Sequence, residues 1–186
     1  MVSIPSLWLP ILLSAVFVFF LSWIIHMFLP WHRADFGKLP SESEVQEALR
    51  KFNLPPGDYM LPHPGGPEGM RSQAFLDKMN QGPVAVMTVM KSGPVNMGKN
   101  LAQWFVYCVV VSVFAAYIAG RALEPGTSYL RVFRFAGATA FIGYAVALWQ
   151  DSIWYKKSWG TTARNTFDGL VYGLVTAGTF GWLWPR

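Results

Sequence analysis

The constraint that dominates this chain is Leu7 to Leu29 (LWLPILLSAVFVFFLSWIIHMFL), 23 residues without a Lys, Arg, Asp or Glu. As a helix rising about 1.5 Å per residue, that run exceeds the roughly 30 Å hydrocarbon core of a bilayer. No positive residue precedes it, it is too long for a signal-peptide core, and Phe28-Leu29-Pro30-Trp31 is unlike a small-residue cleavage site, so an uncleaved span is expected. Pro10 falls in its first turn, where the missing N–H breaks no helical hydrogen bond. Three further runs, 101–123, 130–150 and 166–184, have the length and apolar character of spans, although the last is short, Gly-rich and carries Asp168. The chain is 13% charged against about 25% in soluble domains, which excludes an ordinary soluble globule. The expected fold class is therefore an all-α polytopic membrane protein of four transmembrane helices: span one in 1–30, an extramembrane insertion at 31–100, and a three-helix bundle in 101–186.

The net charge of +5 in so apolar a chain reads as flanking charge for a membrane surface, with no clustered basic face for nucleic acid. Four spans put both termini and the 121–130 turn on one side, with Arg121, Arg131, Arg134 and Arg186. The other side holds Arg33, Lys38, Lys91, Lys99, Lys156, Lys157 and Arg164, so the positive-inside rule places both termini outside the cytoplasm. Trp8, Trp182 and Trp184 would then belt the outer interface, and Trp31, Trp104, Trp149, Trp154 and Trp159 the inner one.

The segment from Pro30 to Asn100 holds 9 of the 13 prolines and is nearly neutral. Ser41-Glu42-Ser43-Glu44 before Val45, Ala48, Leu49 and Phe52 predicts a capped amphipathic helix whose apolar stripe needs a partner. Asp58–Leu61 and Val84–Met90 read as short strands and Ser72–Gln81 as a second helix, together a small α+β or irregular cytoplasmic cap.

Small residues recur at helical spacing in three spans: Cys108, Ser112, Ala116 and Gly120; Ala136, Ala140, Gly143 and Ala147; Gly169, Gly173, Ala177 and Gly181. Such stripes let helix backbones approach closely, the main source of association where lipid removes the hydrophobic drive. They predict a tight bundle of spans two to four, or alternatively a seam between copies of the chain. Span one has no such stripe on this reading.

Chemistry-bearing residues are few. His26 is the only histidine inside a span, expected at the interface bonded to backbone or headgroup, with ligation of a chlorin magnesium as its one cofactor role; a bis-histidine haem would need a second intramembrane imidazole. His32 and His63 lack Cys or a paired carboxylate at metal-ligand spacing, so neither a metal site nor a resident cofactor is expected. Asp168 reads as a first-turn carboxylate favoured by the helix dipole, near Lys156, Lys157 and Arg164. Asp151, at a helix C-terminus, needs a positive partner, and Arg134 at the opposite interface cannot pair with Asp168. The lone Cys108 excludes an intrachain disulfide. No nucleophile constellation, zinc motif or phosphate loop occurs.

The run Phe167-Asp168-Gly169-Leu170-Val171-Tyr172-Gly173-Leu174 through Thr176 to Pro185, with Leu7–Leu12 and Asn96-Met97-Gly98-Lys99, resembles a group of uncharacterised small four-span bacterial inner-membrane proteins. The resemblance covers nearly the whole chain and implies a bacterial, uncleaved, four-span architecture, without supplying a catalytic residue. The resulting expectation is a non-enzymatic accessory or assembly subunit packing in the bilayer against other membrane proteins or itself. A small oligomeric transporter or channel, using Asp168, Thr176, Thr179 and Arg134, and a lipid-modifying enzyme are the alternatives.

Overall fold

The computed structural model describes residues 1–186. They form two compact units, one of residues 1–36 and 96–186 and one of residues 37–95.

In the first unit, α1 (Trp8–Phe28), α5 (Met97–Ala122), α6 (Tyr129–Ala145) and α8 (Trp159–Trp182) pack together. α1 with its preceding turn, α5, and α6 continued through a 3-10 turn (Val146–Leu148) into α7 (Trp149–Tyr155) are each long and apolar enough to cross a membrane. Asn96 starts α5 by accepting a hydrogen bond from Lys99 N–H (3.0 Å), and Glu124-Pro125-Gly126 ends the connection that follows, with Gly126 at φ +75°. Neighbouring helices run antiparallel. Along α1 and α5, Val2 N–H donates to Gly120 C=O (2.8 Å), the Ser14 and Ser112 hydroxyls meet (3.0 Å), and Trp104 Nε1–H donates to Ser22 Oγ (2.8 Å). One end of the bundle is tied by Gly126 N–H to Pro185 C=O (2.9 Å) and by Trp184 Nε1–H to Glu124 C=O (3.0 Å). The chain termini and the α5–α6 turn therefore share an end, as the span order requires. Trp184 is buried there, so its ring is part of the bundle and does not form part of an interfacial belt.

The most extensive interface joins α6 and α8. A Cβ placed on Gly137 would lie 2.8 Å from that of Ala177, one on Gly169 2.7 Å from that of Ala145, and one on Gly181 2.7 Å from the Tyr129 ring. The predicted α8 stripe lies in this packing, with Gly169, Gly173 and Ala177 buried, whereas the α5 stripe of Cys108, Ser112, Ala116 and Gly120 is buried with Ser112 and Gly120 against span one and the residues before it. The α6 stripe is only half right. Ala136 and Ala140 are buried, but Gly143 faces Val111 of α5, Gly137 takes the contact with α8, and Ala147 is exposed because the α-helix tightens to a 3-10 turn from Val146. Span one also has a small-residue face, Ser14, Ala15 and Ser22, masked in the sequence because Val18 stands midway between the two serines.

α8 begins at Trp159, seven residues before the expected boundary, since the polar first turns (Gly160 to Asn165) are helical without being apolar. Asp168 consequently lies well inside α8, and its first-turn assignment is corrected. Asp151 sits in the first turn of α7, not at a helix C-terminus, with Lys157 Nζ at 3.9 Å as its positive partner.

The second unit contains α2 (Glu42–Arg50), β1 (Gly57–Leu61), α3 (Pro67–Met70), α4 (Gln73–Gln81) and β2 (Ala85–Val89). β1 and β2 pair antiparallel, with Gly57 opposite Val89 and Leu61 opposite Ala85. Ser72 caps α4 by accepting from Phe75 N–H (3.2 Å).

Gly173 faces Phe141, whose N and Cβ would each be 3.2 Å from an added Cβ, whereas Leu174 is 47% exposed. Gly173→Leu is expected to destabilise the bundle by about 1–3 kcal/mol or more through overpacking, and Leu174→Ile by well under about 1.5 kcal/mol. Thermal aggregation midpoints in detergent measure both, and equal midpoints would remove this face from the packing.

Candidate functional site

The end of the bundle opposite the chain termini gathers the polar residues. α1 stops at Phe28 because Pro30 follows, and Pro30–Ala34 makes a 3-10 turn that turns Trp31, His32 and Asp35 toward α8. On α8, Arg164 and Asp168 are four residues apart and share a face. Arg164 donates to Asp35 Oδ1 from both Nε (2.8 Å) and a terminal nitrogen (2.5 Å). Asp35 Oδ2 lies 2.7 Å from His32 Nδ1, and His32 Nε2 lies 2.8 Å from Asp168 Oδ2. The sequence Arg164–Asp35–His32–Asp168 is thus one continuous chain of ionisable hydrogen-bonding groups.

His26 stacks on His32 with ring centroids 4.5 Å apart and planes within 9°. Its Nδ1 is 2.9 Å from Ser22 C=O, a bond in which the ring nitrogen must donate, so the proton is on Nδ1 and Nε2 is a free acceptor. The expected backbone-bonded histidine is therefore present. The second imidazole that the sequence denied it lies just beyond the span, at His32.

Burial works against the charge of Asp35, but hydrogen bonds from His32 and Arg164 and the attraction of both groups hold its carboxyl below the ordinary value. Both nitrogens of His32 face carboxylate oxygens. That arrangement satisfies both contacts only with a proton on each ring nitrogen or with the second proton on Asp168. The Asp168 side chain is 4% exposed, and its Oδ1 has no partner; Trp31 Nε1 and the hydroxyls of Tyr144 and Tyr172 are also buried without one. His26, His32 and Asp168 each offer one ligand atom, all within 4.8 Å of one another. Beside His26, an apolar groove of about 390 Å³ opens between α1 and α5, bounded by Phe19, Trp23, Met97, Leu101 and Trp104.

Of the residues singled out from sequence, His26 and Asp168 come together here, while Arg134 and Asp151 do not. Asp168 pairs with His32, and Arg164 serves Asp35, so the expected pairing of Asp168 with nearby basic residues is replaced. His32, Asp35 and Arg164 were missed as site residues. Their signal was present as two local spacings, His32 with Asp35 three residues on and Arg164 with Asp168 four residues on, which meet only when α8 folds against the end of α1. No protein-family model, no curated protein and no solved structure matches this chain.

Asp35→Asn removes the acceptor charge from both Arg164 and His32 and is expected to cost about 1–3 kcal/mol. Glu68→Gln, exposed in the other unit, should stay within about 0.5 kcal/mol. Thermal unfolding of the two variants in the same detergent compares them, and equal midpoints would mean that the Asp35 contacts stabilise nothing.

Proposed function

We propose that the chain is a non-enzymatic protein of the bacterial inner membrane that crosses the bilayer four times and serves as an accessory or assembly subunit. Its 37–95 unit docks on the extramembrane surface of a partner membrane protein. The observation that carries this reading is the state of that unit, in which Pro62 is the only buried residue. α2 leaves Val45, Leu49 and Phe52 exposed, Phe52 at 72%, and Met60, Leu61, Met79, Val84 and Val86 elsewhere in the unit are exposed as well. An apolar stripe without a core needs a cover. Lipid headgroups are a poor one, because α2 carries Glu42, Glu44 and Glu47 against Arg50, the wrong sign for an anionic surface.

Support for a fourth crossing comes from α8, whose 24 residues extend roughly 36 Å and run antiparallel along α6 from Ala145–Gly169 to Tyr129–Gly181. The bias in Lys and Arg puts the termini outside the cytoplasm and the insertion inside. A reporter fused after Arg186 should behave as extracytoplasmic and one inserted between Pro64 and Glu68 as cytoplasmic. Reversed signals would invert the topology, and a C-terminal reporter on the same side as the insertion would remove the fourth span.

Purified from its own membrane in mild detergent, the protein should migrate in an assembly larger than its 20.8 kDa chain. Val45→Ser, Leu49→Ser and Phe52→Ser combined should release it without lowering the bundle's thermal midpoint. A wild-type protein that is monodisperse and monomeric would overturn the docking role.

A further inference from the structure

We infer that His26, His32 and Asp168 form a binding site for a divalent transition-metal ion, of the two-imidazole, one-carboxylate type with at least one coordination position left open. The ligand atoms lie within 4.8 Å of one another, and each donor is of a kind that zinc, iron, cobalt or copper accepts.

Both imidazoles are also fixed from one layer out. A ligating histidine is normally fixed by a hydrogen bond from its other ring nitrogen to a carboxylate or backbone carbonyl. Both imidazoles have that bond: His32 Nδ1 on Asp35, which Arg164 anchors in turn, and His26 Nδ1 on Ser22 C=O. In each case Nε2 is left free of that bond and available as a ligand, and on His32 it already meets Asp168. Asp168 supplies the independent sign, since Oδ1 is buried without a partner although the second oxygen meets His32. A carboxylate so placed can turn one oxygen to a cation and the other to a water bound on it.

Coordination requires a modest rearrangement. A metal bonds a ring nitrogen in the plane of the ring, so two parallel stacked imidazoles cannot both bind one ion. His26 is exposed on the helix and held by one bond, so it is the ring that tilts. The ion takes the place of the proton between His32 Nε2 and Asp168 Oδ2 and releases it to solvent. The open position lies on the side of His26, toward the apolar groove.

The test uses the full chain in mild detergent, purified without a polyhistidine tag, stripped of metal and titrated with Co²⁺. The wild type should retain one Co²⁺ per chain through gel filtration, with visible d–d absorption of a four- or five-coordinate site and no thiolate charge-transfer band, and Zn²⁺ should displace it. His26→Gln, His32→Gln and Asp168→Asn should each weaken retention at least tenfold. Asp35→Asn, which withdraws the carboxylate behind His32, should weaken it about 10–100-fold, and His63→Gln should leave it unchanged. His26→Gln keeps the polar chain from Arg164 to Asp168 intact and so remains decisive if the other variants do not fold. Folded wild-type protein that retains no Co²⁺, or retention that survives His26→Gln undiminished, would overturn the site and leave His32 as a protonated clamp between two carboxylates.

Discussion

Close backbone approach between α6 and α8 is the constraint on which the rest of the first unit depends. In hydrocarbon, two apolar surfaces gain little from leaving the solvent, and association rests on dispersion and on the few polar bonds between helices. At Gly137, Gly169 and Gly181 even a methyl group would meet atoms of the partner helix at 2.7–2.8 Å. That proximity fixes the register of α8 against α6, and α6 in turn packs on α5 where Gly143 receives Val111. Since α1 lies along both α5 and α8, register is passed round the bundle and closes on itself where α8 meets α1. The polar cluster sits at that closing contact, where an error in any earlier register would part His32 from Asp168.

The same dependence explains the order of the charges. A guanidinium, a carboxylate, an imidazole and a second carboxylate alternate along the cluster, so each group is flanked by a partner of the opposite character. In a poorly solvated site a half-satisfied network is worse than an apolar one. Arg164 matters because it gives Asp35 a permanent positive neighbour, which together with the hydrogen bond from His32 outweighs the burial that opposes its charge.

Much of the fold was legible because its cause is local. Unbroken apolar length revealed Leu7–Leu29, and apolar spacing at Val45, Ala48, Leu49 and Phe52 revealed the helix at 42–50, although Ser41, in the left-handed region at φ 48°, makes none of the side-chain capping bonds that its sequence suggested. The α5 and α8 stripes were legible for the same reason, as periodicity survives any tertiary arrangement. Where the local rule was ambiguous, the reading failed. Ala147 matched the period of α6, but the helix tightened before reaching it, and the polar first turns of α8 hid its start. Little of the site was legible. His32 was dismissed for want of a metal-ligand spacing along the chain, because its carboxylate partner Asp168 is 136 residues distant and reaches it only through the packing of α8.

Charge balance then decides what the cluster can hold. With a proton on each nitrogen of His32, the imidazolium and Arg164 offset Asp35 and Asp168, and the group as a whole is neutral. That state leaves Asp168 Oδ1 with no donor and gives the free Nε2 of His26 no role. Exchange of one proton for a divalent cation adds a single net charge, employs both idle atoms and keeps the Asp35 bond that holds His32 in its tautomer. Without Arg164, the two carboxylates would already outweigh the imidazolium, and the cation would be held largely by net attraction, with little demand on geometry. With Arg164 in place, the attraction is nearly cancelled beforehand, so retention depends on donor type and direction, the properties that distinguish a transition metal from calcium or magnesium.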